Sequence, residues 1–373
     1  MKKKRLAVLI SFSGDGGVER MVTNLCAEFA NHVHVDLLAL KLGGGHASRI
    51  SPAVNVMPLK AQHAWTSVSE IAAYLQQHRP HAMLVAKDRA GRAALKANAR
   101  AGTCTPIFIR LGTNLSAALQ RKDRFSRWLR VTPMRQLYPL AAGVIAVSEG
   151  VRQDTIAITD LPPERVHVIR NPVITARLAE QAAEPVPHEW LEDKTLPVVM
   201  GMGRLTAQKD FPTLLRAFAS IQSEHPSRLI LLGEGPNPGD RERHEALARE
   251  LGVGERVLFP GFQKNPYAWL ARADLFVLSS AWEGSPNALT EALALGIPSV
   301  STDCPSGPIE ILARGEFGPL VAVGDHLGMA RAMLQVLRAP LPAPTLRTAV
   351  AEYRADLSAR RYLALMKLIP ASE

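Results

Sequence analysis

The chain has 373 residues and a mass of 40.5 kDa, too long for one ordinary core, so two domains are expected. It is 47% apolar, with no long low-complexity run and no apolar stretch of transmembrane length, which argues against a disordered chain and a helical membrane protein. Its net charge of +10 is uneven: residues 1–170 hold 24 Lys and Arg against 11 Asp and Glu (+13), and the remainder 20 against 23. Such an excess suits an anionic partner: nucleic acid, an anionic membrane or an anionic acceptor.

Met1-Lys2-Lys3-Lys4-Arg5 before an apolar run looks like the opening of a signal peptide. The run is short, however, and a glycine loop follows it in place of a small-residue cleavage site, so it reads as a first buried strand. In the first half, strands are expected at 6–11, 33–40, 82–86, 106–110 and 143–147. Helices are expected at 18–30, 68–78 and 90–101. The rhythm implies a mostly parallel sheet covered on both faces. Residues 121–135 hold six cations and one acid, with Phe125, Trp128 and Leu129 at helical spacing. This basic amphipathic helix, limited by Pro133, suits either an anionic membrane surface or a solvated face packed by its aromatic stripe. No nucleic-acid motif accompanies the charge, so nucleic acid is not expected.

Asn171-Pro172-Val173 leads into an Ala-, Glu- and Pro-rich linker at 174–196, after which the rhythm restarts. Strands are expected at 197–202, 229–232, 257–259, 275–278 and 299–301, and helices at 211–224, 241–251, 287–295 and 326–337. The tail, about 345–370, reads as helical and amphipathic, suited to cap either domain. The fold class is therefore α/β, with two doubly wound, Rossmann-like domains facing across a cleft: residues 1–170 and 171–351, with a C-terminal helix of about 352–373 expected to return to the first. Three scattered cysteines (Cys26, Cys104 and Cys304) argue for a reducing compartment and no disulfide framework.

Glycines at the ends of strands can let backbone N–H groups approach an anion at a helix N-terminus. Ser13–Arg20, with Gly16 and Gly17, fits this, and a plain strand–helix turn fits it equally well. In the Gly203-Arg204-Leu205 loop, Arg204 and Lys209 could clamp a diphosphate, one as a fork and the other as a point charge. Glu283-Gly284-Ser285-Pro286-Asn287-Ala288-Leu289-Thr290-Glu291 carries two carboxylates across a helix start, with Ser285 as N-cap and Pro286 as first helical residue. A positive helix end suits phosphate and carboxylates suit hydroxyls, so a nucleotide sugar suits both. Cys304 reads as a small packing residue rather than a nucleophile, since no His–Asp partner pattern accompanies it. No Asp-x-Asp, His-Glu-x-x-His or Cys-x-x-Cys occurs, so neither a metal nor any other cofactor is expected.

In order, the Gly16-Gly17 loop, Asn171-Pro172-Val173, Gly203-Arg204-Leu205 with Lys209, and Glu283-x7-Glu291 with its Ala-Leu-Ala-Leu-Gly-Ile-Pro tail resemble the retaining GT-B glycosyltransferases. This is the large family 4-like group typified by sucrose synthase and many bacterial glycan-building enzymes. The resemblance implies that Gly16 and Gly17 lie near the donor diphosphate and that Arg204 and Lys209 neutralise it. It also implies that Glu283 holds hydroxyls of the transferred sugar and Glu291 those of the ribose, with backbone N–H groups over Gly284, Ser285, Asn287, Ala288 and Leu289 helping to position sugar and phosphate. Many relatives place a His where this chain reads Phe108–Asn114, which makes Arg110 and Asn114 the acceptor- or sugar-side candidates. The implied activity is metal-independent transfer from a nucleotide sugar, with UDP expected, to a surface glycan or lipid-linked acceptor. It would take place in the cytoplasm or peripherally on the inner face of the membrane. A GT-B sugar-nucleotide epimerase and a non-catalytic nucleotide-sugar-binding protein are the alternatives.

Overall fold

The computed structural model describes residues 3–12, 17–43, 47–120, 123–186, 188–192 and 194–370. The chain divides into two units, Met1–Thr175 with Tyr353–Glu373, and Ala176–Glu352.

The first unit is a seven-stranded parallel sheet: β1 (Arg5–Phe12), β2 (His34–Leu42), β3 (Asn55–Pro58), β4 (Ala82–Val85), β5 (Ile107–Leu111), β6 (Gly143–Ala146) and β7 (Val166–Val168), in the order β3-β2-β1-β4-β5-β6-β7. Between the strands run α1 (Gly17–Ala30), α2 (Val68–His78), α3 (Asp88–Ala101), α4 (Leu115–Leu119), α5 (Arg124–Leu137) and α6 (Glu149–Thr159). β1 is an interior strand between β2 and β4, and its side chains alternate between two cores. Ala7 and Leu9 face Ile71, Leu75, Ala94 and Tyr138. Leu6, Val8 and Ile10 face Val22, Leu25 and Phe29. Burial on both faces explains why the strand reads as an unbroken apolar run. β3 and β7 are short edge strands, and β3 is half-exposed, so neither carries a strong apolar signal.

The second unit begins with two short helices in the expected linker, α7 (Leu178–Ala183) and α8 (Glu189–Glu192). Its sheet contains β8 (Val198–Met202), β9 (Arg228–Leu232), β10 (Val257–Gly261), β11 (Leu275–Leu278), β12 (Ser299–Thr302) and β13 (Leu320–Val321), in the order β10-β9-β8-β11-β12-β13. The helices are α9 (Phe211–Ile221), α10 (Asp240–Glu250), α11 (Pro266–Leu270), α12 (Asn287–Leu295), α13 (Gly307–Ile311), α14 (His326–Arg338) and α15 (Ala343–Thr348).

The tail is helical, in two pieces. α15 packs on α12, and α16 (Ala355–Leu365) packs on α1 in the first unit, where Phe29 and Tyr362 meet edge to face at 6.1 Å. The break is long-range: the Tyr353 carbonyl accepts from the backbone N–H groups of Val173 and Ile174, both at 3.0 Å, and leaves the helical path. The Ala355 N–H donates to the Ile174 carbonyl at 2.9 Å, and the Ser358 hydroxyl to the Arg170 carbonyl at 2.9 Å. Pro133 also departs from expectation, because α5 runs through it to Leu137. The missing N–H leaves the carbonyl of exposed Leu129 without its helical donor, which costs less where water can replace it.

Candidate functional site

In the second unit the loop after β8 folds back tightly. Gly203 has φ +153°, and a Cβ there would lie 2.7 Å from Lys209 Cε. Glycine thus lets the lysine side chain lie against the backbone beside Arg204. Asp210 closes the loop in the left-handed region at φ +45° and accepts from the Thr213 hydroxyl at 2.7 Å. Three bonds tie the loop to the chain leaving β11. Ser279 Oγ donates to the Lys209 carbonyl at 2.7 Å, the Ala281 N–H to the Gln208 carbonyl at 2.8 Å, and Gln208 Nε2 to the Trp282 carbonyl at 3.0 Å.

This lacing brings two predicted residues into contact. Lys209 Nζ lies 2.6 Å from Glu283 Oε1, and the Ser280 hydroxyl donates to the same oxygen at 2.8 Å. Ser280 is held in turn by its carbonyl, which accepts from Thr302 Oγ1 at 2.6 Å. Beneath the pair is Cys304, whose thiol pKa is pushed up to about 12, by burial first and then by the Glu283 charge. A thiol so raised is protonated and inert near neutrality.

Helix α12 begins at Asn287. Pro286, in extended backbone, occupies the cap position, so Ser285 is not the N-cap and Pro286 is not the first helical residue. Packing explains the correction. The Gly307 N–H donates to the Gly284 carbonyl at 3.2 Å, and a Cβ on Gly307 would lie 2.7 Å from Ser285 Cα. Residues 284–286 are thus drawn against the start of α13, away from capping geometry. Ala288 and Leu289 lie in the first turn of α12, where N–H groups have no carbonyl inside the helix. Glu291 is wholly buried, with the Tyr267 hydroxyl 3.5 Å from its Oε1. Arg204 is exposed and makes no ion pair among the described residues.

In the first unit, Gly17 is the first residue of α1, and Gly16 lies outside the described residues. At the start of α1, Lys87 Nζ reaches Glu19 Oε1 at 2.7 Å and the Ser11 carbonyl at 3.2 Å. No motif in the sequence marks this cation. Its signal was a lysine directly after the buried run of β4. Arg110 is 2% exposed, and its Nη2 donates to Asn171 Oδ1 at 2.5 Å, tying β5 to the Asn171-Pro172 segment. Asn24 Nδ2 holds the same segment through the Pro172 carbonyl at 2.9 Å. Asn114 caps α4, its side chain accepting from the Ala117 N–H at 2.9 Å. A cavity of about 470 Å³ opens at the C-terminal ends of β1 to β3, lined by Phe12, Lys41, Leu42, Leu59, Lys60 and Gln62 among others. Among the described residues, no group of three or more His, Cys, Asp or Glu side chains could hold a metal, and no helix is long and apolar enough to cross a membrane.

Residues 16–172 match the family described as "Glycosyl transferase 4-like domain", and residues 196–339 match "Glycosyl transferases group 1". The N-acetylgalactosamine-N,N'-diacetylbacillosaminyl-diphospho-undecaprenol 4-alpha-N-acetylgalactosaminyltransferase of Campylobacter jejuni is 30% identical over 221 residues, 59% of this chain and 58% of that one. The chain spans about half the length of the curated relatives it matches. Among solved structures, the lipopolysaccharide outer core galactosyltransferase WaaB in its apo form aligns with a TM-score of 0.72 at 20% identity, over 98% of this chain and 99% of that one. Anabaena Alr3699/HepE in complex with UDP aligns with a TM-score of 0.71 at 19% identity, over 98% and 97%. These two likenesses speak to the fold.

Proposed function

The chain belongs to the GT4-like glycosyltransferases with the GT-B fold, and on that premise we propose that it moves a sugar from a UDP-sugar to a lipid-linked or surface glycan acceptor. The observation that carries the reading is the Lys209–Glu283 contact beside the start of α12. One cation, one carboxylate and a helix N-terminus meet there, and they match the phosphate and hydroxyl halves of such a donor.

In this reading Lys209 and Arg204 neutralise the departing diphosphate, helped by the first-turn N–H groups of α12. Stabilising that charge lowers the barrier to breaking the anomeric C–O bond. Glu283 accepts hydrogen bonds from sugar hydroxyls. Glu291 grips the ribose, once the contacts that bury it yield. The acceptor hydroxyl attacks from the face the nucleotide leaves, and the leaving phosphate takes its proton, so the configuration is retained. Fixed cations do the work a metal would do, and no cofactor takes part. Support for UDP comes from the UDP-bound fold neighbour, and support for a lipid diphosphate acceptor from the name of the Campylobacter relative. The basic first unit suits such an acceptor at the inner face of the membrane.

The test is to screen nucleotide sugars by thermal shift and then analyse products by mass with a lipid-linked glycan precursor. A donor-dependent gain of one sugar on the acceptor is expected. Absence of binding and of turnover with every nucleotide sugar would overturn the proposal, and conversion of the donor without acceptor would mark an epimerase.

A further inference from the structure

On helix α5, Phe125, Trp128 and Leu129 are 66%, 57% and 52% exposed, and the two rings stack at 6.0 Å. They follow the i, i+3, i+4 pattern of one helical face. Met134, the buried residue of this helix, is nine positions from Phe125, which at about 100° per residue puts it on the opposite side. The stripe thus points away from the core, unlike an aromatic stripe that packs a solvated helix.

Arg121 and Lys122 lie outside the described residues, and the other four cations of the same segment divide into two groups. Arg130 pairs with Asp88 at 3.2 Å, and Asp88 also holds Arg92 at 3.0 Å. Arg127 donates to the Leu119 and Gln120 carbonyls at 2.9 and 2.5 Å. Arg135 donates to the Ile158 carbonyl at 2.8 Å and lies 3.3 Å from Asp160. Arg124 is exposed beside the stripe, with no ion pair among the described residues. Among the described residues, much of the basic character therefore serves the fold, and the exposed feature is an aromatic wedge flanked by Arg124.

We propose that this stripe seats the enzyme on an anionic bilayer by inserting Phe125, Trp128 and Leu129 at headgroup depth, with Arg124 against the lipid phosphates. The purpose of the surface rests on the lipid-linked acceptor reading, although its geometry does not. Aromatic side chains favour that interface because their apolar bodies sit beside polar groups. A second copy is the weaker occupant on two counts. A two-fold contact would bring Arg124 toward its own copy. Three half-exposed side chains would also bury only about 300 Å² per partner, against about 800 Å² in a stable interface.

The experiment is co-sedimentation with phosphatidylethanolamine–phosphatidylglycerol vesicles and with phosphatidylcholine vesicles, alongside UDP thermal shift and sizing of the protein alone. The triple variant Phe125→Ser, Trp128→Ser, Leu129→Ser should lose at least about a hundredfold in partitioning, since the apolar area withdrawn would by itself account for more. Arg124→Gln should lose about fivefold, on anionic vesicles only. Trp128→Phe should still partition but lose the blue shift of tryptophan emission that marks insertion. The UDP response should be the same in all of them. A parent that ignores anionic vesicles, or a triple variant that binds like the parent, would overturn the proposal. So would a parent dimer that the triple variant renders monomeric. Loss of the UDP response in the parent would strike the catalytic reading and leave the docking surface untouched.

Discussion

The contact between Lys209 and Glu283 implies an exchange of partners that a double-mutant cycle can measure. At 2.6 Å the pair has a gross attraction of about 6 kcal/mol at an effective dielectric of 20. Desolvation offsets much of it, because the side chains retain 17% and 9% of their exposure. Glu283→Gln keeps an oxygen for Ser280 but leaves the lysine charge uncompensated, and Lys209→Met does the same to the carboxylate. Each should cost about 2 to 4 kcal/mol, and the double variant much less than their sum, with a coupling of about 2 kcal/mol. Denaturant unfolding gives these values, and UDP titration supplies the second readout. A diphosphate must compete with Glu283 for Lys209, so Glu283→Gln should bind UDP up to about tenfold more tightly while turnover falls. Lys209→Met should lose UDP binding. Coupling below about 0.5 kcal/mol, or weaker UDP binding by Glu283→Gln than by the parent, would refute the exchange.

Three further outcomes follow from the packing. At Gly233, with φ +138°, an added Cβ would fall inside the van der Waals shell of the Gly203 carbonyl oxygen, so Gly233→Ala should lower stability by at least about 3 kcal/mol in a thermal melt and reduce UDP binding with it. Asp36 is buried, which works upward on its pKa, but hydrogen bonds from Asn55, Tyr74 and Arg5 outweigh burial and hold it below the usual value. Its charge therefore contributes stability above the unfolded pKa of about 3.9, and the advantage of the parent over Asp36→Asn should shrink as pH falls through the lower native value, as urea unfolding across acid pH would show. Of the three thiols, exposed Cys104 should react at once with an aromatic disulfide reagent, whereas Cys26 and Cys304, both raised to about 12 chiefly by burial, should wait for denaturant.

What could be read from residues alone depended on how local its cause was. The interior strand β1 and helices α2 and α12 were legible because a long apolar run or phase outweighs its surroundings. The edge strands β3, β7 and β13 have four, three and two residues, too few to carry a pattern. Ser285 is held out of the cap position by packing against Gly307, a neighbour in space and not in sequence, and the tail divides into two helices where the Tyr353 carbonyl accepts from Val173 and Ile174. In the site, Lys209 and Glu283 could each be expected at a strand end, but their direct contact across 74 positions had no sequence signature. The same holds for Ser280, a serine at the end of an apolar strand, and for the burial of Arg110 against Asn171.

The return of α16 to the first unit has a consequence for biosynthesis. Ala359, Tyr362 and Leu363 complete a core begun by Leu6, Val8 and Phe29, and everything from 176 to 352 is translated in between. At about 5 to 20 residues per second, the nascent first unit waits roughly ten to thirty seconds with that apolar face uncovered, a window in which chaperones and proteases compete for it. The second unit is an uninterrupted stretch and can fold as it emerges. A lesion near residue 360 would therefore strike the product of the first codons harder than the second unit next to it in the message.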